Sequence, residues 1–133
     1  RIRSIDYAAA RKMPGVLANH RLLIQVLTNL LGNAIKFVPP GVKPVVRVTV
    51  ESLDRAVRVS VEDNGIGIDP QYQEKIFRIF ERLHSITEYP GTGIGLAIVQ
   101  KAMLQMKGAV GVESVPGKGS RFWIQLRKAA LAL

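Results

Sequence analysis

Four groups of residues in this 133-residue chain have types and spacings suited to chemistry. Gln25, Asn29, Asn33 and Lys36 recur at intervals of four, four and three, one polar stripe of a helix. Asn is a poor interior helix former, and an ordinary solvated face would more often carry Glu or Lys. Carboxamide oxygens are hard, neutral ligands suited to a Mg²⁺ that phosphates also hold, and a lysine one turn further on could meet a phosphate oxygen. Asp63-Asn64-Gly65-Ile66-Gly67-Ile68 sets a carboxylate beside two glycines. Gly91-Thr92-Gly93-Ile94-Gly95-Leu96 leads into a helix, where close-lying backbone N–H groups and the helix dipole favour an anion. Gly117-Lys118-Gly119-Ser120 closes the set.

Taken singly, each group has an ordinary reading: a solvated helix face, a turn after a strand, a flexible linker, a hairpin loop. The 63–68 string lacks the ligand spacing of a Ca²⁺ loop, and no Gly-Lys-Ser/Thr follows the 91–96 glycines, so no P-loop is present. Those glycines fall at i, i+2 and i+4 after Glu88-Tyr89-Pro90, which is not the strand-led dinucleotide fingerprint.

The elements that must position these groups follow from periodicity. From about Asn19 to Phe37, Leu23, Leu27, Leu31 and Ile35 form one column. Leu22, Val26, Leu30 and Ala34 form the next, giving a broad apolar helix face. Asn19 is the expected N-cap, and Pro39-Pro40-Gly41 ends the helix. Val45–Leu53 and Ala56–Glu62 alternate as strands with one buried face, joined through Leu53-Asp54-Arg55 as an antiparallel hairpin. Asp69 and Pro70 start a short helix through about Phe80, and 81–92 reads as a loop. A second long helix spans Gly93–Met106, and strands cover Ala109–Val115 and Arg121–Leu126. Arg1–Tyr7 is a further candidate strand, broken off by Met13-Pro14-Gly15. The order predicts an α+β fold: a two-layer α/β sandwich whose mixed sheet of about five strands is covered on one face by three helices.

Composition bounds the possibilities. The length suits one domain, residues 1–133, and the start at Arg1 reads as a piece cut from a longer protein. Without cysteine there is no thiolate metal site or cysteine nucleophile, and a count of two histidines, His20 and His84, argues against a multi-His zinc site. No apolar run reaches the ~20 residues of a membrane span, and no signal peptide is visible. The fragment is expected to be cytoplasmic and free of membrane contact, within a parent that could be anchored elsewhere. A formal charge of +9 suggests a polyanionic partner, but the basic residues are scattered with few aromatics among them. A nucleic-acid-binding domain is therefore the lesser reading.

The order of the groups is more specific than any one of them. The helix string Asn29-Leu30-Leu31-Gly32-Asn33-Ala34-Ile35-Lys36-Phe37, Asp63-x-Gly-x-Gly, Ile76-Phe77-Arg78-Ile79-Phe80, Gly91-Thr92-Gly93-Ile94-Gly95-Leu96-Ala97-Ile98-Val99 and Gly117-x-Gly-Ser120 occur in sequence. Together they resemble the N-box, first glycine box, F-box, second glycine box and third glycine box of bacterial sensor histidine kinases. The likeness covers residues 19 to 127. Glu81-Arg82-Leu83-His84 with Tyr89-Pro90 is similar to phytochrome-like and hybrid kinases.

The resemblance implies the Bergerat-type ATP-binding catalytic domain. Asn33 would coordinate Mg²⁺ with Asn29 assisting, Lys36 would contact phosphate, and Phe37 would pack near the nucleotide. Asp63 would accept a hydrogen bond from adenine's exocyclic amine; guanine offers an acceptor oxygen there, and such a mismatch is costly. Gly65 and Gly67 would line the base pocket. Gly93 and Gly95 would shape the lid hinge and the phosphate-facing helix end, and Leu96 beside them would belong to the nucleotide-binding residues. Ser120 would join the water network around Asp63, and Phe77 and Phe80 would anchor the lid. Relatives that hydrolyse ATP, such as DNA gyrase, carry a glutamate general base where this chain has Asn29; an amide cannot take the proton. The implied activity is γ-phosphoryl transfer from Mg-ATP to a histidine on a separate dimerisation domain, with a response-regulator receiver domain downstream and a homodimeric parent. Neither His20 nor His84 fits the acceptor, so the fragment alone should not autophosphorylate. The alternative is a regulatory nucleotide-binding module, or a pseudokinase, without transfer. Two departures from the family pattern stand out: Asn19 where Asp is common, and Val38 where Ser or Thr usually follows the aromatic.

Overall fold

The computed structural model describes residues 18–77 and 95–129 of the chain. Helix α1 (His20–Lys36) starts at Asn19, whose side-chain oxygen accepts the amides of Arg21 at 3.0 Å and Leu22 at 3.2 Å. That satisfies two of the donors that a helix start leaves without partners. Its apolar columns bury Leu23, Val26, Leu27, Leu30, Leu31 and Ala34. Burial of each large side chain contributes roughly 1.5–3 kcal/mol. Phe37 closes the helix through its amide to the Asn33 carbonyl at 3.1 Å, and Pro39 and Pro40 forbid continuation.

Strands β1 (Val46–Ser52), β2 (Ala56–Asp63), β3 (Ala109–Val115) and β4 (Gly119–Arg127) form one sheet in the order β1-β2-β4-β3. Helix α2 (Gly95–Gln105) leads into β3. Val57, Val61, Phe122, Ile124 and Leu126 carry the sheet's side of the core, and Val26, Leu30, Val99 and Met103 carry the helices' side. The two-layer sandwich is therefore as expected. Phe77 reaches the same core and meets Phe122 edge to face, with ring centroids 6.3 Å apart.

Three details differ from the sequence-based expectation. All three ladders are antiparallel, and the sheet has four strands among the described residues rather than a mixed set of about five. The helical crossover from β2 does deliver β3 in the same direction as β2, but the β3–β4 hairpin folds β4 in between, so the parallel pair never touches. The candidate strand Arg1–Tyr7 lies outside the described residues.

Strand β1 does not bury a face: Val48 is 45% and Val50 55% exposed. Helix α1 lies over β2 more than over β1, and α2 lies over β3, so among the described residues nothing covers the outer half of β1. Finally, the short helix after Asp69 resolves into two 3-10 turns, Pro70–Tyr72 and Lys75–Phe77. Asp69 caps the first through the Gln71 amide at 3.0 Å, as its position suggested. Gln73 then turns its side chain back to the Ile68 carbonyl at 3.2 Å and the Ser114 carbonyl at 3.1 Å, tying the turn to β3.

Candidate functional site

The helix-facing side of the sheet changes character at one end. Its rows are apolar through Val59, Ile124 and Val110, and again through Val61, Phe122 and Val112. The next row is polar. The β2–β4 register continues to Asp63 beside Ser120, and Ser120 pairs with Ser114 across β3–β4. A carboxylate and two hydroxyls thus line up where the core opens.

Asp63 is held by backbone. Its Oδ1 accepts the Gly65 amide at 2.9 Å and the Ser120 amide at 3.1 Å. Among the described residues Oδ2 accepts no hydrogen bond. Burial pushes the Asp63 carboxyl above the ordinary 3.8, and the two N–H bonds pull the other way without cancelling the shift. A partly buried, pre-oriented carboxylate with one oxygen unengaged is an acceptor waiting for a donor.

The 64–68 loop wraps this end of the sheet. Gly65 is packed so closely that a Cβ there would overlap the Phe37 carbonyl oxygen and come within 2.9 Å of Asp63 Oδ1. Gly67 has φ +75°, and a Cβ there would run into the Val115 carbonyl. Only glycine suits both demands. Ile66 fastens the loop on two sides: its amide meets the Phe37 carbonyl at 2.9 Å, and its carbonyl accepts the Gly117 amide at 2.8 Å.

Helix α1 brings the carboxamide stripe to the same region. Asn29 donates from Nδ2 to the Gln25 carbonyl at 2.9 Å, which leaves Oδ1 free of that bond. Oδ1 faces the start of α2, where a Cβ on Gly95 would approach it to 2.9 Å. Asn33 lies one turn on and half-buried; Lys36 is exposed, its Nζ 5.6 Å from the Phe37 ring centroid. The Phe37 carbonyl, which accepts the Ile66 amide, joins the end of α1 to the 64–68 loop. Leu96, also named by the sequence, packs against the core from the first turn of α2. Gly93 and Phe80 lie outside the described residues.

The contacts thus tie Phe37, Asp63, Gly65, Gly67 and Ser120 into one end of the sandwich, with Asn33 and Lys36 in the turn of α1 that leads to Phe37, while Asn29 meets Gly95 at the start of α2. Ser120 sits beside Asp63, as its expected place near that carboxylate requires: its backbone amide reaches Asp63 Oδ1, and its hydroxyl lies 2.8 Å from Ser114 Oγ. Two residues went unnoticed in the sequence. Asn64 holds the lead into β1, accepting the Val45 amide at 2.8 Å and donating to the Lys43 carbonyl at 3.0 Å. Ser114 accepts the Ile68 amide at 2.7 Å. Ser114 left a trace, a serine where the alternation Val110, Val112 calls for an apolar residue; Asn64 left none, since its partners are nineteen to twenty-one positions away. No group of three His, Cys, Asp or Glu side chains that could hold a metal exists among the described residues.

Residues 18–130 match the family of histidine kinase-, DNA gyrase B-, and HSP90-like ATPases, and the chain belongs to it. The phytochrome-like protein Cph1 of Synechocystis sp. is 46% identical over 114 residues, covering 86% of this chain and 15% of that protein. The sensor histidine kinase AruS of Pseudomonas aeruginosa is 44% identical over 131 residues, covering 90% of this chain and 13% of that protein. Among solved structures, the mycobacterial sensor histidine kinase MprB superposes with a TM-score of 0.73 at 30% identity, over 86% of this chain and 75% of that one. ShkA, solved full-length in complex with AMPPNP, gives 0.73 at 38% identity, over 91% of this chain and 25% of its own length. This is a histidine kinase-like ATPase domain of the two-component sensor kinases. It spans about 15% of the length of the curated relatives first matched. No helix among the described residues is long and apolar enough to cross a membrane.

Proposed function

We propose that this chain binds Mg-ATP and passes the γ-phosphoryl group to a histidine on a separate dimerisation domain. The observation that carries the reading is Asp63: two backbone amides fix Oδ1, and Oδ2 is left to accept the exocyclic amine of adenine. Guanine would set an oxygen against that carboxylate, an acceptor against an acceptor. Gly65 and Gly67 let the loop backbone lie flat against the base. Asn33, with Asn29, would hold Mg²⁺ through carboxamide oxygens; the metal would supply charge neutralisation on the phosphates. The fit rests on the donor set: Asn29 spends its N–H on Gln25 and keeps an oxygen toward α2, and a neutral oxygen pair complements a metal already bound by phosphates. Lys36 would add a point charge. Catalysis would consist of positioning and charge stabilisation, with an amide, Asn29, rather than a carboxylate base where water would be activated.

In this reading residues 1–133 are one catalytic domain of a longer, homodimeric kinase. It would work in the cytoplasm, where ATP is supplied, and a receiver domain would take the phosphoryl group onward. Titration of the domain with Mg-ATP and Mg-GTP by calorimetry tests the binding step. Saturable ATP binding that exceeds GTP binding and is abolished in Asp63→Ala is expected. Absence of ATP binding by folded protein would refute it. Addition of a separate histidine-bearing dimerisation domain should then yield Mg-ATP-dependent phosphohistidine. Binding without transfer would favour a regulatory module or pseudokinase.

A further inference from the structure

Ser114 Oγ stands at the meeting of three hydrogen bonds. It accepts the Ile68 amide at 2.7 Å, lies 2.9 Å from the Gly119 carbonyl oxygen and lies 2.8 Å from Ser120 Oγ. A serine hydroxyl has one proton and two lone pairs. A carbonyl oxygen can only accept, so the Ser114 proton goes to Gly119. One lone pair takes the Ile68 amide. The other is left for Ser120, so Ser120 must be the donor in the Ser114–Ser120 bond. Every capacity of Ser114 Oγ is then used, and the single proton of Ser120 is committed away from Asp63.

That direction matters because Asp63 is close by. The Ser120 amide is 3.1 Å from Asp63 Oδ1, and the Ser120 hydroxyl is only three covalent bonds from that amide. A hydroxyl released from Ser114 could rotate and donate to the carboxylate, since hydrogen bonds to an ionised acceptor are the strong ones. It would then draw on the same carboxylate that a ligand N–H needs.

We infer that Ser114 is a positioning residue for base recognition: it draws the Ser120 proton off Asp63 and docks the end of the 64–68 loop through Ile68. The carboxylate thereby stays open to the amine of the base. Gln73 braces the arrangement through the Ile68 and Ser114 carbonyls. The inference rests on the ATP-binding reading above.

The test is a set of Mg-ATP and Mg-GTP titrations on the whole chain, with thermal melts by circular dichroism, for Ser114→Ala, Ser114→Thr, Ser120→Ala and the Ser114→Ala/Ser120→Ala double variant. Ser114→Ala should weaken ATP binding about tenfold, the scale of one hydrogen bond to a charged group, and lower the ATP-to-GTP affinity ratio. Ser114→Thr keeps the hydroxyl and should restore both. The double variant should bind ATP more tightly than Ser114→Ala alone, because the competing hydroxyl is gone. A merely structural serine would give a double variant no better than the single. If alanine unfolds the domain, the isosteric pair Ser114→Thr and Ser114→Val, both suited to a strand, carries the comparison: threonine should keep ATP selectivity and valine lose it. With the wild type binding ATP, an affinity for Ser114→Ala or Ser114→Val within about twofold of wild type, or a folded double variant no tighter than Ser114→Ala, overturns the inference alone. A folded wild type that binds no ATP overturns the nucleotide reading and this inference with it.

Discussion

The carbonyl oxygen of Phe37 accepts the amide of Ile66 at 2.9 Å, joining the end of helix α1 to the glycine loop that follows β2. The bond requires the two backbones to lie side by side, and Gly65 is what permits it. Gly65→Ala would drive a Cβ into that carbonyl oxygen and toward Asp63 Oδ1. We expect a loss of about 1–3 kcal/mol in urea unfolding, together with weakened ATP binding. Gly32→Ala is the contrast: a Cβ there meets nothing within 4 Å on an exposed helix position, and stability should rise by roughly 0.5–1 kcal/mol.

Asp63 should cost the unliganded domain stability at neutral pH. Burial raises its native carboxyl above the ordinary 3.8, so the folded state takes up a proton more readily than the unfolded chain. Its favourable contribution is fully present below pH 3.8 and is lost as pH rises through the raised native value. Asp63→Asn removes the charge. Thermal melts of the unliganded protein should show the variant more stable than wild type at pH 7, with the gap closing as pH falls toward 3.8. Calorimetry on the same variant should show weaker ATP binding, separating the cost of the carboxylate from its use.

Asn33→Ala should make nucleotide binding indifferent to magnesium. Interactions with charged groups carry roughly 1.5–3 kcal/mol, so affinity in excess Mg²⁺ should fall at least about tenfold. Affinity in EDTA should change little. Equal losses under both conditions would place Asn33 outside the metal's reach.

The opposite sheet face supplies an internal control. Trp123, the single tryptophan, lies across Gly111, where a Cβ would strike the indole, and the Arg58 guanidinium lies over the ring 4.3 Å from its centroid. Arg58 is steadied by Gln125 Oε1, which accepts from Nε at 3.3 Å and Nη2 at 2.9 Å. Gly111→Ala should displace the indole, red-shift its fluorescence and lower stability by about 1–3 kcal/mol. ATP affinity of the folded variant should be unaffected.

What the sequence made legible was whatever depends on neighbours within a few residues. The columns of α1 as far as Ala34, the Asn19 cap, the 53–55 turn and the Asp69 start all rest on local spacing, and each stands; Ile35, set in the same columns by its spacing, is instead 42% exposed at the helix end. So does the two-layer arrangement, because the period of 3.6 on the helices and of two on the strands says which faces must meet. Long-range pairing was less visible. The alternation in β1 resembles that in β2, yet helix coverage decides which of them is buried. The polar row of Asp63, Ser120 and Ser114 exists only through register between segments about fifty residues apart, so Ser114 read as an ordinary strand residue. Ser120 was placed near Asp63 by the family pattern, but that its backbone amide holds the carboxylate follows only from the register.

The ends of β2 are pinned differently. Beyond Asp63, Asn64 grips the chain before β1 through Lys43 and Val45. At the turn, the Lys128 ammonium holds Ser52 Oγ at 2.8 Å and the Leu53 carbonyl at 2.6 Å. Strand side chains alternate faces, so a slip of one residue would turn Asp63 outward and bring Glu62 or Asn64 to the helix side. The hairpin therefore behaves like a reading frame: a one-residue insertion in β2 would leave every recognition residue in the chain while changing the letter presented to the ligand. The two clasps, one at each end, are what keep that frame.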